Sequence, residues 1–119
     1  ILQQTIGLDN NRQAFYEMFD SWAEELKESF TGVSDDEWVQ FRSNMYDGKF
    51  VFNVDQKFVQ QCQIPMLVLM GSDLYHPEST SRKIATLAPN VQFLEKWKDP
   101  EQDGTVKAVI DFLQECTPV

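Results

Sequence analysis

The sequence predicts an α/β protein in which a helical module precedes a β-α-β-α unit with a short parallel sheet. Early in the chain, apolar residues recur at steps of three and four, as on one face of a helix. Residues 64–70 are instead apolar without alternation, which is typical of a strand covered on both faces. A glycine, a polar loop and a proline follow, in the order expected where a strand ends and a helix begins.

Residues 1–63 are predicted to form the helical module, and residues 64–119 the β-α-β-α unit. An irregular segment with Gly7 as a breaker comes first, and a helix then runs from about Asn10 to Gly32. Aromatic side chains dominate the apolar positions of the module, and these either pack as a core or form the wall of a ligand pocket. They include Phe15, Phe19, Trp22, Trp38, Phe41 and Phe50.

Two further helices complete the predicted module. Ser34 and Glu37 have the spacing of a capping box, which opens a helix ending at Asp47. A third, short helix starts at Asn53 or Asp55, since either side chain can cap a helix.

The β-α-β-α unit contains two predicted strands and two predicted helices. The strands are residues 65–70 and residues 91–94, with a helix between them that has Pro77 at its first position. A long acidic loop, residues 97–104, leads to the last helix. The apolar face of that helix comprises Val106, Val109, Ile110 and Leu113. Two parallel strands cannot close a core, so we expect an unpaired strand edge and a homo-oligomer formed through it.

Composition disfavours several classes of function. A net charge of −9 disfavours nucleic acid and anionic membrane surfaces as partners, because both require a basic patch. We expect a cytoplasmic protein, since the sequence shows neither an apolar membrane span nor a signal peptide. Cys62 and Cys116 are too few for a disulfide framework or a zinc site, and one histidine is too few for other metals. We expect no metal and no cofactor.

The loop after the first strand carries the candidate chemistry. Asp73 and His76 are three residues apart, so the carboxylate can orient the imidazole as an acid orients a base. Alternatively, Asp73 stabilises a turn and His76 is an ordinary loop residue. Tyr75 either contributes to a pocket or covers the sheet edge. Gly-x-Ser-x-Gly is absent from the sequence, so the chain shows no nucleophile elbow.

Several of these motifs occur in a familiar order. Residues 65–71 read Pro-x-Leu-x-Leu-x-Gly, and Asp73 and Pro77 follow them. A Leu-Ala-Pro-Asn phrase ends the next helix at Asn90, and a phenylalanine-leucine pair closes the last helix. In combination these elements resemble the last part of an α/β-hydrolase fold protein. The aromatic helices before them look like the cap, or lid, of that family.

The resemblance implies that Asp73 occupies the acid position of a catalytic triad. In the family the triad histidine follows the last strand, but residues 96–103 contain none. Either His76 substitutes for it, or the parent protein has lost the triad. The nucleophile and the oxyanion hole belong to an upstream half in this family, so we expect the chain alone to be inactive.

Three functions therefore remain open. In the first, the chain is a C-terminal fragment whose parent hydrolyses a small ester-like substrate held between cap and core. The six aromatic residues of the module named above and Tyr75 are then candidates for the substrate pocket. In the second, the chain is a non-catalytic module that forms homodimers through its sheet edge and apolar helix faces. In the third, it is a complete small enzyme that uses Asp73 and His76 as acid and base.

Overall fold

A computed structural model of the chain describes residues 8–117, with side chains from Asn11 onward. Within that range the chain forms five helices and two strands. In order, they are α1 (Leu8–Lys27), α2 (Asp35–Tyr46), α3 (Gln56–Gln61), β1 (Met66–Leu69), α4 (Glu78–Leu87), β2 (Val91–Leu94) and α5 (Gln102–Cys116). The mixed α/β class is confirmed. The predicted breaker Gly7 lies outside the described residues.

Helix α1 differs from the prediction at both ends. It begins at Leu8, within the segment predicted to be irregular, and ends at Lys27 rather than near Gly32. A tight turn closes it, because the backbone N–H of Ser29 donates to the Leu26 carbonyl at 2.9 Å.

The first core cluster lies between α1 and α2. Phe15, Phe19 and Ala23 of α1 are buried together with Tyr46 at the end of α2. The Phe15 and Tyr46 rings stack with centroids 5.1 Å apart. The part of the aromatic stripe of α1 that faces α2 therefore packs as a core.

Side-chain caps fix where α2 and α3 begin. The backbone N–H of Ser34 donates to Glu37 Oε2 at 2.8 Å, and Ser34 Oγ accepts from the backbone N–H of Glu37 at 3.2 Å. The predicted capping box is confirmed. Asp55, rather than Asn53, caps α3, with its carboxylate accepting from the backbone N–H of Phe58 at 2.8 Å.

Removing the Ser34 cap should weaken the helical module. Ser34→Ala leaves the N–H of Glu37 without its acceptor, so we expect a loss of about 1 kcal/mol in the free energy of unfolding. Urea unfolding followed by circular dichroism measures the difference. Ser29→Ala is the control, because Ser29 is exposed and caps no helix among the described residues. Equal stability of the two variants would contradict the prediction.

The two strands form a parallel pair in the register Met66↔Val91 to Leu69↔Leu94. Helix α4 packs against both strands. Pro77 is the N-cap of this helix and not its first residue, since its ψ of 139° is extended. All four residues of β1 are only half-buried, so the strand is less covered than its apolar sequence predicts.

A second core cluster joins the two parts of the chain. Phe50 is 1% exposed and Val59 5%, and both lie before β1, whereas Ala88, 7% exposed, lies at the end of α4. Ile84 and Met66 pack against this cluster from the β-α-β-α side. The helical module and the sheet therefore share a core.

Helix α5 begins earlier than predicted, at Gln102, so Gly104 belongs to its first turn and not to a loop. Its apolar face is largely open: Val106, Ile110 and Leu113 are about half exposed. Across the described residues, β1 and β2 pair only with each other, and each strand has one unpaired edge. None of the helices in residues 8–117 has the length and apolarity needed to cross a bilayer.

Candidate functional site

The segment after β1 folds back on itself. The Gly71 N–H donates to Ser81 Oγ at 2.9 Å, which ties the end of the strand to α4. Trp97 Nε1 donates to the Met70 carbonyl at 2.7 Å and ties it to the segment after β2. A Cβ on Gly71 would lie 2.0 Å from the carbonyl oxygen of His76, so only glycine permits this close approach.

The Asp73 carboxylate organises the turn that follows. Its Oδ1 accepts from the backbone N–H groups of Tyr75 and His76, at 3.0 and 2.8 Å. The same oxygen lies 3.0 Å from His76 Nδ1. The backbone N–H of His76 is the main cause of a lowered Asp73 pKa, and the imidazole and the N–H of Tyr75 lower this pKa further. Asp73 thus both stabilises the turn and orients the histidine.

This acid–imidazole pair faces solvent. The His76 side chain is 75% exposed and that of Asp73 52%, so water screens their attraction. Because the two ring nitrogens lie on opposite sides of the imidazole, Nε2 is directed away from Asp73. The pair can hold a base in a fixed orientation, but it adds little to stability.

Asp73 gives the turn a defined dependence on pH. A carboxyl group whose pKa is lowered by folding stabilises the fold fully above its ordinary pKa of about 4. That contribution is lost as pH falls through the lowered value. We therefore expect the Asp73 carboxyl carbon, followed by NMR, to titrate at lower pH in the folded chain than in urea.

The amides of Tyr75 and His76 should shift together with that carboxyl carbon, because they donate to it. In Asp73→Asn these coupled shifts should vanish, whereas Asp36→Asn, an exposed change in the first turn of α2, should leave them intact. A folded midpoint equal to that in urea would refute the prediction.

A cavity of about 550 Å³ opens between α1, the β1 end and α4. Its volume is typical of small-molecule sites. Its walls are mostly apolar, and its rim includes Asp73, His76 and Lys98, which line the cavity and are exposed to solvent. The apolar residues that line it include Phe15, Phe50, Phe52, Tyr75, Leu69 and Ile84.

The structure divides the predicted pocket residues between two places. Phe15, Phe50 and Tyr75 line this cavity together with Asp73 and His76. Phe19, Trp22, Trp38 and Phe41 do not line the cavity and pack with one another between α1 and α2, where their ring centroids lie 5.6 to 6.4 Å from a neighbouring ring of the set. Phe15 belongs to this cluster as well as to the cavity wall, since it is buried together with Phe19. Trp22 and Phe41 are about half exposed there.

Sequence reasoning missed Asn11, Phe52, Trp97 and Lys98, which also line the cavity. Asn11 had a signal: it lies four residues before Phe15 and so continues the buried face of α1. No sequence signal predicted the position of Phe52. Its φ of 51° lies in the left-handed region, which a phenylalanine rarely adopts.

The described residues supply an oriented imidazole beside an apolar cavity, which suits proton transfer to or from a bound molecule. Acyl transfer would require a nucleophile in addition. Among residues 8–117, no group of three or more His, Cys, Asp or Glu side chains is arranged to hold a metal ion. Cys62 and Cys116 are free thiols outside this cavity.

No known protein family, characterised protein or solved structure matches the chain at a significant level. The likeness to α/β-hydrolases therefore depends on the sequence motifs described above alone.

Proposed function

We propose that the chain is the C-terminal part of an α/β-hydrolase-like protein whose parent hydrolyses a small ester-like substrate. The substrate would occupy the 550 Å³ cavity between the helical module and the sheet. The main support for the proposal is the position of the Asp73–His76 pair, which lies at the carboxyl end of β1 and on the rim of that cavity. Ligands of open α/β sheets bind at this end of the strands.

Under this proposal the residues have distinct roles. Asp73 is the triad acid, and His76 replaces the histidine that the family carries after its last strand. The upstream half contributes the nucleophile and the oxyanion hole. His76 then acts through Nε2, the nitrogen that Asp73 does not hold.

The reading frame upstream of Ile1 gives the first test. We expect it to encode Gly-x-Ser-x-Gly after a predicted strand and before a predicted helix. A start codon a few residues upstream would overturn the proposal.

Enzyme assay gives the second test. The 119-residue chain should not cleave p-nitrophenyl butyrate, whereas the chain joined to its upstream half should. On the joined protein, Asp73→Asn should reduce kcat by a factor of about 10³ or more, because an amide at this position holds the imidazole in the wrong tautomer. Asp103→Asn, an exposed acid in α5, should have no effect. Full activity of the Asp73 variant would exclude the assigned role.

A second function is favoured by the open surfaces. Half-exposed Val106, Ile110 and Leu113 line one side of α5, and both strands have a free edge among the described residues. The chain would then be a non-catalytic module that forms homodimers. Light scattering should give twice the chain mass, and Ile110→Lys should shift it to the monomer. Lys107→Gln on the same helix is the control. A monomer at millimolar concentration would exclude this function.

A further inference from the structure

Lys98 is the one lysine or arginine among the described residues that line the 550 Å³ cavity. Its side chain is exposed, and it forms no ion pair with a carboxylate in the part of the chain that the structure describes. The acids that follow it, Asp99 and Glu101, do not line this cavity. A molecule in the cavity therefore meets a positive charge that no close carboxylate neutralises.

The backbone around Lys98 is held in place from two directions. Trp97 Nε1 donates to the Met70 carbonyl at 2.7 Å, and the Trp97 carbonyl accepts from Thr105 Oγ1 at 2.9 Å. These bonds tie the segment to the end of β1 and to α5. The Lys98 carbonyl in turn accepts from the backbone N–H of Glu101 at 2.9 Å. The lysine side chain thus starts from a fixed point on the cavity wall.

The ammonium group lies beside a ring that lines the same cavity. Lys98 Nζ is 4.9 Å from the centroid of the Trp97 ring, within the range of a cation–π contact. Such a contact is weak at an exposed site, and the four-carbon stem of a lysine is flexible. The ammonium can therefore turn toward a bound anion without losing a strong interaction.

The carboxylate on the rim does not occupy this ammonium. Asp73 Oδ1 accepts from the backbone N–H groups of Tyr75 and His76 and lies 3.0 Å from His76 Nδ1. Asp73 forms no ion pair with Lys98. The two charges of the rim therefore act separately, with Asp73 holding the imidazole and Lys98 left to a bound molecule.

The cavity also indicates the body and the charge of that molecule. Its mostly apolar walls suit an apolar body. A carboxylate beside the exposed Lys98 would stay in contact with water, so it would keep much of its hydration. One ammonium balances one negative charge, whereas a phosphate group carries up to two near neutral pH. A carboxylate therefore fits this rim better than a phosphate does.

We propose that the cavity binds an apolar molecule with one carboxylate, which pairs with Lys98. This inference rests on the proposed function in that it narrows the substrate to an ester with a free carboxylate at its other end. Lys98 would hold that end while the ester group reaches His76. The pairing itself requires no upstream residue, because Lys98 and the lining residues belong to this chain.

4-Phenylbutanoate and 4-phenylbutanamide are matched probes for this proposal, since they share an apolar body and differ in the charge of one end. The net charge of −9 opposes the binding of any anion, so a preference for the carboxylate requires a local cation. We expect NMR titration of the 119-residue chain to show the carboxylate binding about three to five times more tightly. This preference should shrink as salt is raised from about 0.02 to 0.5 M, because salt screens exposed charges. Amide shifts of Gly71 and Tyr75 should place both compounds in the cavity.

Lys98→Met keeps the apolar stem and removes the charge, so it should abolish the preference, whereas Lys98→Arg should retain it. Lys96→Met is the matched control, because Lys96 is exposed but does not line the cavity. Equal or weaker binding of the carboxylate to the unaltered chain overturns this inference, and so does a preference that survives in Lys98→Met. Absence of binding by both compounds overturns it as well. Each of these results leaves the proposed function to its own tests, the upstream reading frame and the esterase activity of the joined protein.

Discussion

Phe50→Ala should lower the free energy of unfolding by about 3–5 kcal/mol, the range measured when a buried phenylalanine is truncated in a packed core. Phe50 is 1% exposed and is the largest fully buried side chain among the described residues. It packs against residues that precede β1 in the chain and residues that follow it. The cavity left by truncation would therefore be bordered by both parts of the chain, and movement of one part alone could not fill it. A domain of this size has a total stability of roughly 5–15 kcal/mol, so the loss is a large part of it.

Urea unfolding followed by tryptophan fluorescence measures this loss. Phe58→Ala is the matched control, because Phe58 is 59% exposed and its truncation should change stability by less than about 0.5 kcal/mol. Similar losses for the two variants would mean that the second core cluster does not hold the chain together.

Gly71→Ala should distort the candidate site and reduce stability by about 1–3 kcal/mol, as overpacking does. The added methyl group would lie 2.0 Å from the His76 carbonyl oxygen and 2.6 Å from its carbon. These are backbone atoms, so relief requires the turn itself to move. His76 would then leave the Asp73 carboxylate, and the rim of the cavity would change.

Two readouts separate this local effect from a general loss of structure. The His76 ring and amide resonances should shift strongly, while those of α2 should not. Gly104→Ala is the control, because nothing lies within 4 Å of its Cβ position, and the change should leave stability unchanged or raise it by up to about 1 kcal/mol. An unshifted His76 in Gly71→Ala would contradict the close approach.

Local signals predicted the corner of the fold that holds Asp73. An unbroken apolar run, a glycine, an acid and a proline at a helix start lie within 13 residues of one another, so no long-range information was needed to order them. The capping box of α2 was predictable for the same reason: both of its hydrogen bonds join residues three apart.

The cavity itself was only partly predictable. Helical periodicity identified the face of α1 that carries Phe15 and Trp22, but it does not say which other element will cover each residue. The structure brings Phe15 to the cavity and leaves Trp22 half exposed elsewhere. Asn11 meets Leu74 across 63 residues of sequence, and no local pattern encodes such a contact.

The shared core has a consequence for how molecules reach the cavity. A lid usually opens by swinging about a hinge while its own packing stays intact. Here such a swing would pull Phe50 and Val59 away from Ala88 and expose them to water. Ligands should therefore enter the cavity past the side chains on its rim, near His76 and Lys98, while the helices stay in place. Rotamer changes of these side chains, and not a domain motion, would open the entrance.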